Sequence, residues 1–352
     1  MTPPLAALSA VAAPAAAPLP TAPPSEDPRL DAVEGLMRQL AAGDRLDRAG
    51  LMVQEHLSTG GKRLRARLAL LAADALGAPH DAVPWAAAVE LLHNATLVHD
   101  DIQDGDRVRR GQPTTWARHG VAQAINAGDL LLMLPTLALD EGELPDGLRW
   151  ALSRCLAAQA ATTVRGQTDE LDLLPAGRLD AGAYLRAVEG KTGGLFGLPV
   201  EGAALLAGRT RAEAAALAAP FAALGVLFQI QDDILDLYGD KGREAPGADL
   251  REGKVSVLVV EHLARVPSDR TRLLALLQAP RDATPEAEVQ WAIRAFRSSG
   301  ALAAALERVR TLADAIAEDA ALRAAPGLAR VAGSLLDRVL TPIRHLLAAG
   351  AA

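Results

Sequence analysis

The chain has 352 residues, with 36 Lys and Arg against 43 Asp and Glu, one Cys, and only four Phe, four Trp and two Tyr. A net charge of −7 excludes a general nucleic-acid binder, which needs a basic face, and a single Cys excludes a disulfide framework or a Cys-rich zinc site. Half of the residues are hydrophobic, and the apolar mass is Ala, Leu and Val; Ala and Leu favour helices, which disfavours an all-β fold.

Residues 1–26 are apolar but interrupted by Pro4, Pro14, Pro18 and Pro20, and they lack a positively charged start. They read as a disordered Ala/Pro tail rather than an export signal. From Asp27 the pattern turns helical. Helices are predicted over 28–42, 44–58, 62–77, 82–105, 118–139, 146–172, 180–188, 191–206, 211–238, 252–265, 268–278, 286–297, 299–321 and 326–348, with Gly- and Pro-rich punctuation between them. No sustained alternation of period two and no repeat is present, so 27–352 read as one all-α bundle domain. No run reaches the roughly 18 uninterrupted apolar residues of a membrane span, and the lone Cys suits a reducing, cytoplasmic setting.

Two acidic motifs stand out. In the first, Asp100 and Asp104 are four apart at the end of an apolar helical run, flanked by Asp101. Like charges at this spacing repel, and a helix C-terminus disfavours anions further. A bound cation relieves both problems, and an oxygen-only set suits Mg²⁺; taken alone, the motif also fits a solvated helix end. The second motif repeats the spacing at Asp232, Asp233 and Asp236. With Gln229 these form one polar stripe on a helix otherwise built of Leu, Val, Ile and Phe, so the stripe should face a cavity and meet cations or donors there.

Cationic stretches accompany them. Gly60-Gly61 precedes Lys62, Arg63, Arg65 and Arg67 at a helix start, an arrangement suited to anions. Arg109 and Arg110 follow the first acidic motif and can fork onto phosphate oxygens. Gly190-Lys191-Thr192-Gly193 is a flexible turn but not a P-loop, and Asp249 to Lys254 follows a Gly/Pro-rich loop. Each of these alone also reads as a surface turn. Together, two carboxylate triads, several cationic sites and a greasy interior suit a diphosphate carried on a hydrocarbon.

In this order the stretches GGKRLR, HNATLVHDDIQD, RRGQPT, GKTGGLF, FQIQDDILD and DLREGK resemble the trans-isoprenyl diphosphate synthases, or polyprenyl synthetases, from about Gly60 to Lys254. The resemblance implies an all-α isoprenoid synthase fold around a deep central cavity, a homodimer, and up to three Mg²⁺. It implies head-to-tail transfer of the prenyl group of an allylic diphosphate to isopentenyl diphosphate, with release of diphosphate. Carried over by motif, Asp100, Asp104, Asp232 and Asp236 hold Mg²⁺, with Asp101 and Asp233 in support. Lys62, Arg65, His93 and Arg110 take isopentenyl diphosphate, while Arg109, Lys191, Thr192, Gln229 and Lys254 surround the allylic diphosphate.

The chain departs from the family pattern at Ala66, where Pro is usual, and in the loop 242–249, which is one residue longer and carries Arg243 in place of Lys. This leaves Lys241 and Arg243 as alternatives for one diphosphate contact. A terpene cyclase has no use for Lys62, Arg65 and Arg110. An HD-type phosphohydrolase, suggested by His99-Asp100, leaves the second triad unexplained, and a non-catalytic partner subunit does not need both triads intact. The two-residue spacer of the first motif and the small Ala95 and Thr96 before it favour geranylgeranyl diphosphate or longer over farnesyl diphosphate.

Overall fold

A computed structural model describes residues 27–239 and 246–349. The predicted tail, and the alternatives Lys241 and Arg243, lie outside the described residues. The helices are α1 (Pro28–Ala42), α2 (Arg48–Ser58), α3 (Leu64–Leu76), α4 (Val83–Gln103), α5 (Thr115–His119), α6 (Val121–Asp140), α7 (Asp146–Leu173), α8 (Ala181–Val188), α9 (Gly194–Leu206) and α10 (Arg211–Tyr238). There follow α11 (Ala248–Arg251), α12 (Val257–Arg265), α13 (Arg270–Leu277), α14 (Glu286–Ser298), α15 (Ala301–Ala317), α16 (Ala320–Ala324), α17 (Pro326–Leu340) and α18 (Arg344–Ala349). The fold is all-α, as the composition predicts.

Local chemistry explains the boundaries. Asp27 accepts from Arg29 N, with Pro28 opening α1. Thr210 and Glu213 form a reciprocal capping box that starts α10, satisfying two otherwise orphaned donors. The predicted helix 118–139 is divided at Gly120, whose φ of 83° is open to Gly without strain. The predicted 299–321 likewise ends at Ala317, and a separate α16 begins after the side chain of Asp319 accepts from Leu322 N.

Two local features differ from expectation. A small antiparallel hairpin pairs Val108 with Pro113 and Arg109 with Gln112. It is too short for a period-two pattern, and it is pinned by Thr114 Oγ1 and Trp116 Nε1, both donating to Asp106 O. The turn predicted between 188 and 191 is instead a π-helical turn, Glu189–Gly193, which joins α8 and α9 into one rod. Such wide turns re-aim side chains and cluster at functional sites.

Helices α4, α9 and α10 carry the densest part of one hydrophobic core, with Trp85, Phe196 and Phe221 fully buried in it. Trp85 Nε1 donates to Pro199 O, 2.9 Å away, which satisfies the one polar atom of the indole. Helices α6 and α10 are long and apolar enough to cross a membrane by length and composition. Here α10 packs into the bundle and α6 packs along α4.

Candidate active site

The first acidic motif ends α4, and Asp104 is its C-cap. Burial pushes the Asp100 carboxyl up to about 6; Lys191 opposes the rise while Asp104 and Glu170 add to it. Asp101 is buried; its Oδ1 accepts from Arg109 Nε at 2.7 Å and lies 2.6 Å from Nη2 of the same guanidinium, an ion pair. Its Oδ2 has no hydrogen-bond partner among the described residues. Asp101 therefore fixes the hairpin guanidinium.

The second motif lies near the end of α10. Asp233 is enclosed by three donors: Tyr184 Oη at 2.7 Å, Val257 N at 2.8 Å and Gln229 Nε2 at 3.0 Å. Burial still lifts its carboxyl to about 6 against these bonds. Asp233 thus ties α8 and the start of α12 to α10, and it orients the Gln229 amide. Asp236 Oδ2 accepts from Asp249 N at 3.2 Å, and Asp232 is half-buried on the same helix.

Two bridges bring the motifs together. In the π-turn, Lys191 is ion-paired with Glu170 and lies 3.9 Å from Asp100 Oδ2, while its neighbour Thr192 donates to Gln229 Oε1 at 3.4 Å. Burial works against the Lys191 ammonium, but Glu170 and Asp100 outweigh it and hold its pKa above the usual lysine value. In the second bridge, Asp249 caps Asp236 while Lys254 Nζ lies 3.0 Å from both Asp104 Oδ2 and Glu252 Oε2. Each bridge touches α4 at one end and α10 at the other. The π-turn sits against α7 through glycines: a Cβ on Gly166 would meet Lys191 N at 2.3 Å, and one on Gly190 would meet Gly166 Cα at 2.9 Å. A side chain at either position would push Lys191 away from Asp100.

The cationic residues divide. Arg65 Nη1 lies 2.9 Å from His93 Nε2. Arginine only donates, so His93 accepts there and is neutral. Burial, together with Arg65, Arg110 and Arg109, keeps its pKa well below the ordinary histidine value. Burial also lowers Arg65 to about 10. Arg65 makes no ion pair among the described residues, and its Nε has no partner. Arg110 stacks its guanidinium against Gly61, where a Cβ would sit 2.5 Å from Nη1. Lys62 is exposed. Arg63, by contrast, is a structural cation: buried, it holds Glu34 at 3.0 Å and Leu57 O at 2.7 Å.

Between these groups opens a cavity of about 280 Å³. Arg65, His93, Asp100, Lys191, Thr192 and Gln229 line its polar side, and Leu92, Thr96, Leu97, Leu132, Leu195 and Phe228 its apolar side. Ala95, expected to bound the chain, is fully buried in the core and does not line the cavity. The reason is helical phase: position i−4 from Asp100 shares its face, whereas i−5 is turned away. Glu170, Gln167 and Tyr184 were not expected from the sequence. The mid-helix Gly166 was the available signal, because Gly inside a helix usually marks a close approach.

The polyprenyl synthetase family profile matches residues 49–296. The chain belongs to the polyprenyl synthetase family. A short chain isoprenyl diphosphate synthase of Methanothermobacter thermautotrophicus is 35% identical over 302 residues, covering 82% of this chain and 90% of the relative. A geranylgeranyl diphosphate synthase of Mycobacterium tuberculosis is 38% identical over 229 residues, 63% of this chain and 64% of that one. A polyprenyl synthase from Caulobacter crescentus, solved with calcium and isoprenyl diphosphate, superposes with a TM-score of 0.77 at 29% identity, covering 89% of this chain and 94% of that one. The protein is a trans-prenyltransferase with the isoprenoid synthase fold.

Proposed function

We propose that this polyprenyl synthetase condenses isopentenyl diphosphate with an allylic diphosphate in a Mg²⁺-dependent reaction, yielding geranylgeranyl diphosphate or a longer trans product. The observation that carries this reading is the pair of acidic motifs joined by two lysine-bearing bridges at the mouth of a largely apolar cavity. The residues fit a hard cation: Asp100, Asp104, Asp232 and Asp236 offer only oxygens, and Asp100 is a half-buried carboxyl crowded by Asp104 and Glu170. Among the described residues no three acidic, His or Cys side chains converge as a ready ligand set. That suits Mg²⁺, which uses few carboxylates together with substrate phosphates. Bound there, the metal would neutralise charge on the leaving diphosphate.

The protein's own residues take the remaining roles. Arg65, His93, Arg110 and Lys62 hold isopentenyl diphosphate, a role supported by the Arg65 guanidinium, which makes no ion pair among the described residues and leaves Nε without a hydrogen bond. Lys191, Thr192, Gln229, Lys254 and Arg109 surround the allylic diphosphate, with Arg109 aimed by Asp101. Fixed cations placed where negative charge develops stabilise the transition state without reorganisation. The apolar walls keep water from the allylic cation.

The chain is proposed to act as a cytoplasmic homodimer. Of the large apolar side chains exposed among the described residues, most stand on α6 and α7, including Met133, Trp150 and Val164. Apolar side chains exposed together on two helices support an association surface there. The deciding experiment is chromatography of products made from isopentenyl diphosphate with dimethylallyl, geranyl or farnesyl diphosphate in Mg²⁺. Absence of condensation with every primer overturns the reading.

A further inference from the structure

Among the cavity's polar groups that none of the assignments above uses, Gln167 alone leaves a buried atom without a partner among the described residues. Gln167 on α7 is only 8% exposed and lines the cavity. Its Nε2 donates to Gln103 Oε1 at 2.7 Å, which fixes the amide. The carbonyl oxygen that remains, Oε1, is buried and has no hydrogen-bond donor among the described residues. A buried acceptor without a partner loses its hydration for nothing in return, so its retention calls for a ligand.

The position narrows that ligand. Gln103 lies three residues after Asp100 on α4, and Glu170, which holds Lys191, lies three residues after Gln167 on α7. Residues three apart on a helix share a face. Gln167 therefore sits at the boundary between the diphosphate-binding end and the apolar wall formed by Leu92, Leu97 and Phe228. A hydrocarbon chain brings no N–H or O–H to satisfy an acceptor there. What the proposed reaction brings to that boundary is positive charge.

We propose that the Gln167 carbonyl is a catalytic dipole that stabilises the allylic cation. This inference rests on the prenyl-transfer reading of the site. The step is heterolysis of the allylic C–O bond: the electron pair leaves on the diphosphate oxygen, and the positive charge spreads over the three-carbon allyl unit. The π bond of isopentenyl diphosphate then forms the new C–C bond, and a proton is lost to the released diphosphate. A fixed carbonyl dipole in a water-excluded cavity lowers the energy of the cation more than that of the neutral substrate.

The test compares Gln167→Met, which removes the dipole at similar volume, with Gln167→Glu, which keeps an oxygen at the same place. Steady-state rates are measured with geranyl and isopentenyl diphosphates. Ionisation alone is followed by ¹⁸O scrambling between the bridging and non-bridging positions of geranyl diphosphate, with unreactive isopentyl diphosphate in the second site. Gln167→Met should lower kcat and the scrambling rate together by 10- to 100-fold, with both KM values within about threefold of wild type, and Gln167→Glu should restore most of the loss. Unchanged scrambling in Gln167→Met, a change confined to KM, or equal loss in both variants overturns the proposal. Wild type run alongside keeps the two questions apart: if wild type does not condense, the prenyl-transfer reading fails, and if wild type is active while Gln167→Met matches it, only the role of Gln167 fails.

Discussion

Lys254 Nζ lies 3.0 Å from Asp104 Oδ2, although the two residues are 150 positions apart in the chain. Five residues before Lys254, Asp249 N donates to Asp236. The short segment 249–254 therefore holds the end of α4 and the end of α10 at once. Asp104 and Glu252 together keep the Lys254 ammonium above its usual pKa despite burial, so it carries its charge at any pH at which the protein works.

Loss of either acidic motif should be severe and loss of the bridge partial. Asp100→Ala and Asp232→Ala should each lower kcat by about 10²-fold or more, the scale for removing an electrostatic stabiliser from a closed site. Lys254→Ala should fall short of that. EDTA should abolish activity, and added Mg²⁺ or Mn²⁺ should restore it. Steady-state assays with and without chelator decide this, and full activity of either Asp variant would contradict the metal assignment.

The two diphosphate sites should separate by kinetics. Arg65→Ala removes a half-buried cation whose neighbour is the neutral His93, so it should raise KM for isopentenyl diphosphate by about tenfold or more and leave KM for the allylic primer nearly unchanged. Lys191→Ala should act mainly on the primer, because Lys191 belongs to the Asp100 and Glu170 side of the cavity. Titrating each substrate at saturating co-substrate tests the map. Equal effects of Arg65→Ala on both substrates would collapse the two sites into one.

Much of this site was legible because it is local. The four-residue spacing of Asp100 and Asp104, and the Gln229–Asp236 stripe, follow from helical arithmetic alone. What escaped was long-range. Tyr184 reaches Asp233 across 49 positions and Glu170 reaches Lys191 across 21, and nothing in a lone Tyr or Glu announces such a partner. Arg63 looked like its neighbours Lys62 and Arg65, yet the fold turns it onto Glu34. Its φ of 45° is a backbone state that composition does not reveal. Gly-Lys-Thr-Gly-Gly carries turn chemistry and so predicts a break where the π-turn runs. Packing of Gly190 against Gly166 keeps the segment helical instead.

Acid should destabilise the fold through its buried histidines. His56 is buried beside Asn94 Oδ1 at 3.1 Å, and burial with nearby Arg109 depresses its pKa to about 4. The unfolded chain, with an ordinary value near 6.5, binds the proton more readily. Stability from this group is therefore full above about pH 6.5 and is lost as pH falls towards 4. At pH 5 the loss is on the order of 2 kcal/mol, and His93 shifts in the same direction. Tm measured from pH 7.5 to 5 should fall, and His56→Gln should flatten part of that fall. A Tm independent of pH over this range would refute the burial of these rings as neutral groups.

The last prediction concerns product length. Thr96 lies one turn before Asp100 and lines the cavity, whereas Ala95 faces the core. At about 1.5 Å per residue, Thr96 is about 6 Å along the helix from the carboxylate, a distance comparable to one or two isoprene units. Leu92, a further turn away, and Leu132 on α6 continue the same wall. A ring placed at Thr96 intrudes on the growing chain but leaves the diphosphate groups clear. Forcing the chain past it amounts to overpacking, at about 1–3 kcal/mol or more, enough to stop elongation early. Thr96→Phe should therefore shorten the main product by at least one isoprene unit while the first condensation proceeds at near wild-type rate. Ala95→Phe should instead destabilise the fold, because it adds a ring to a closed core. Product chromatography and thermal melts of the two variants test the pair, and an active, folded Thr96→Phe with an unaltered product distribution would place the length-limiting wall elsewhere.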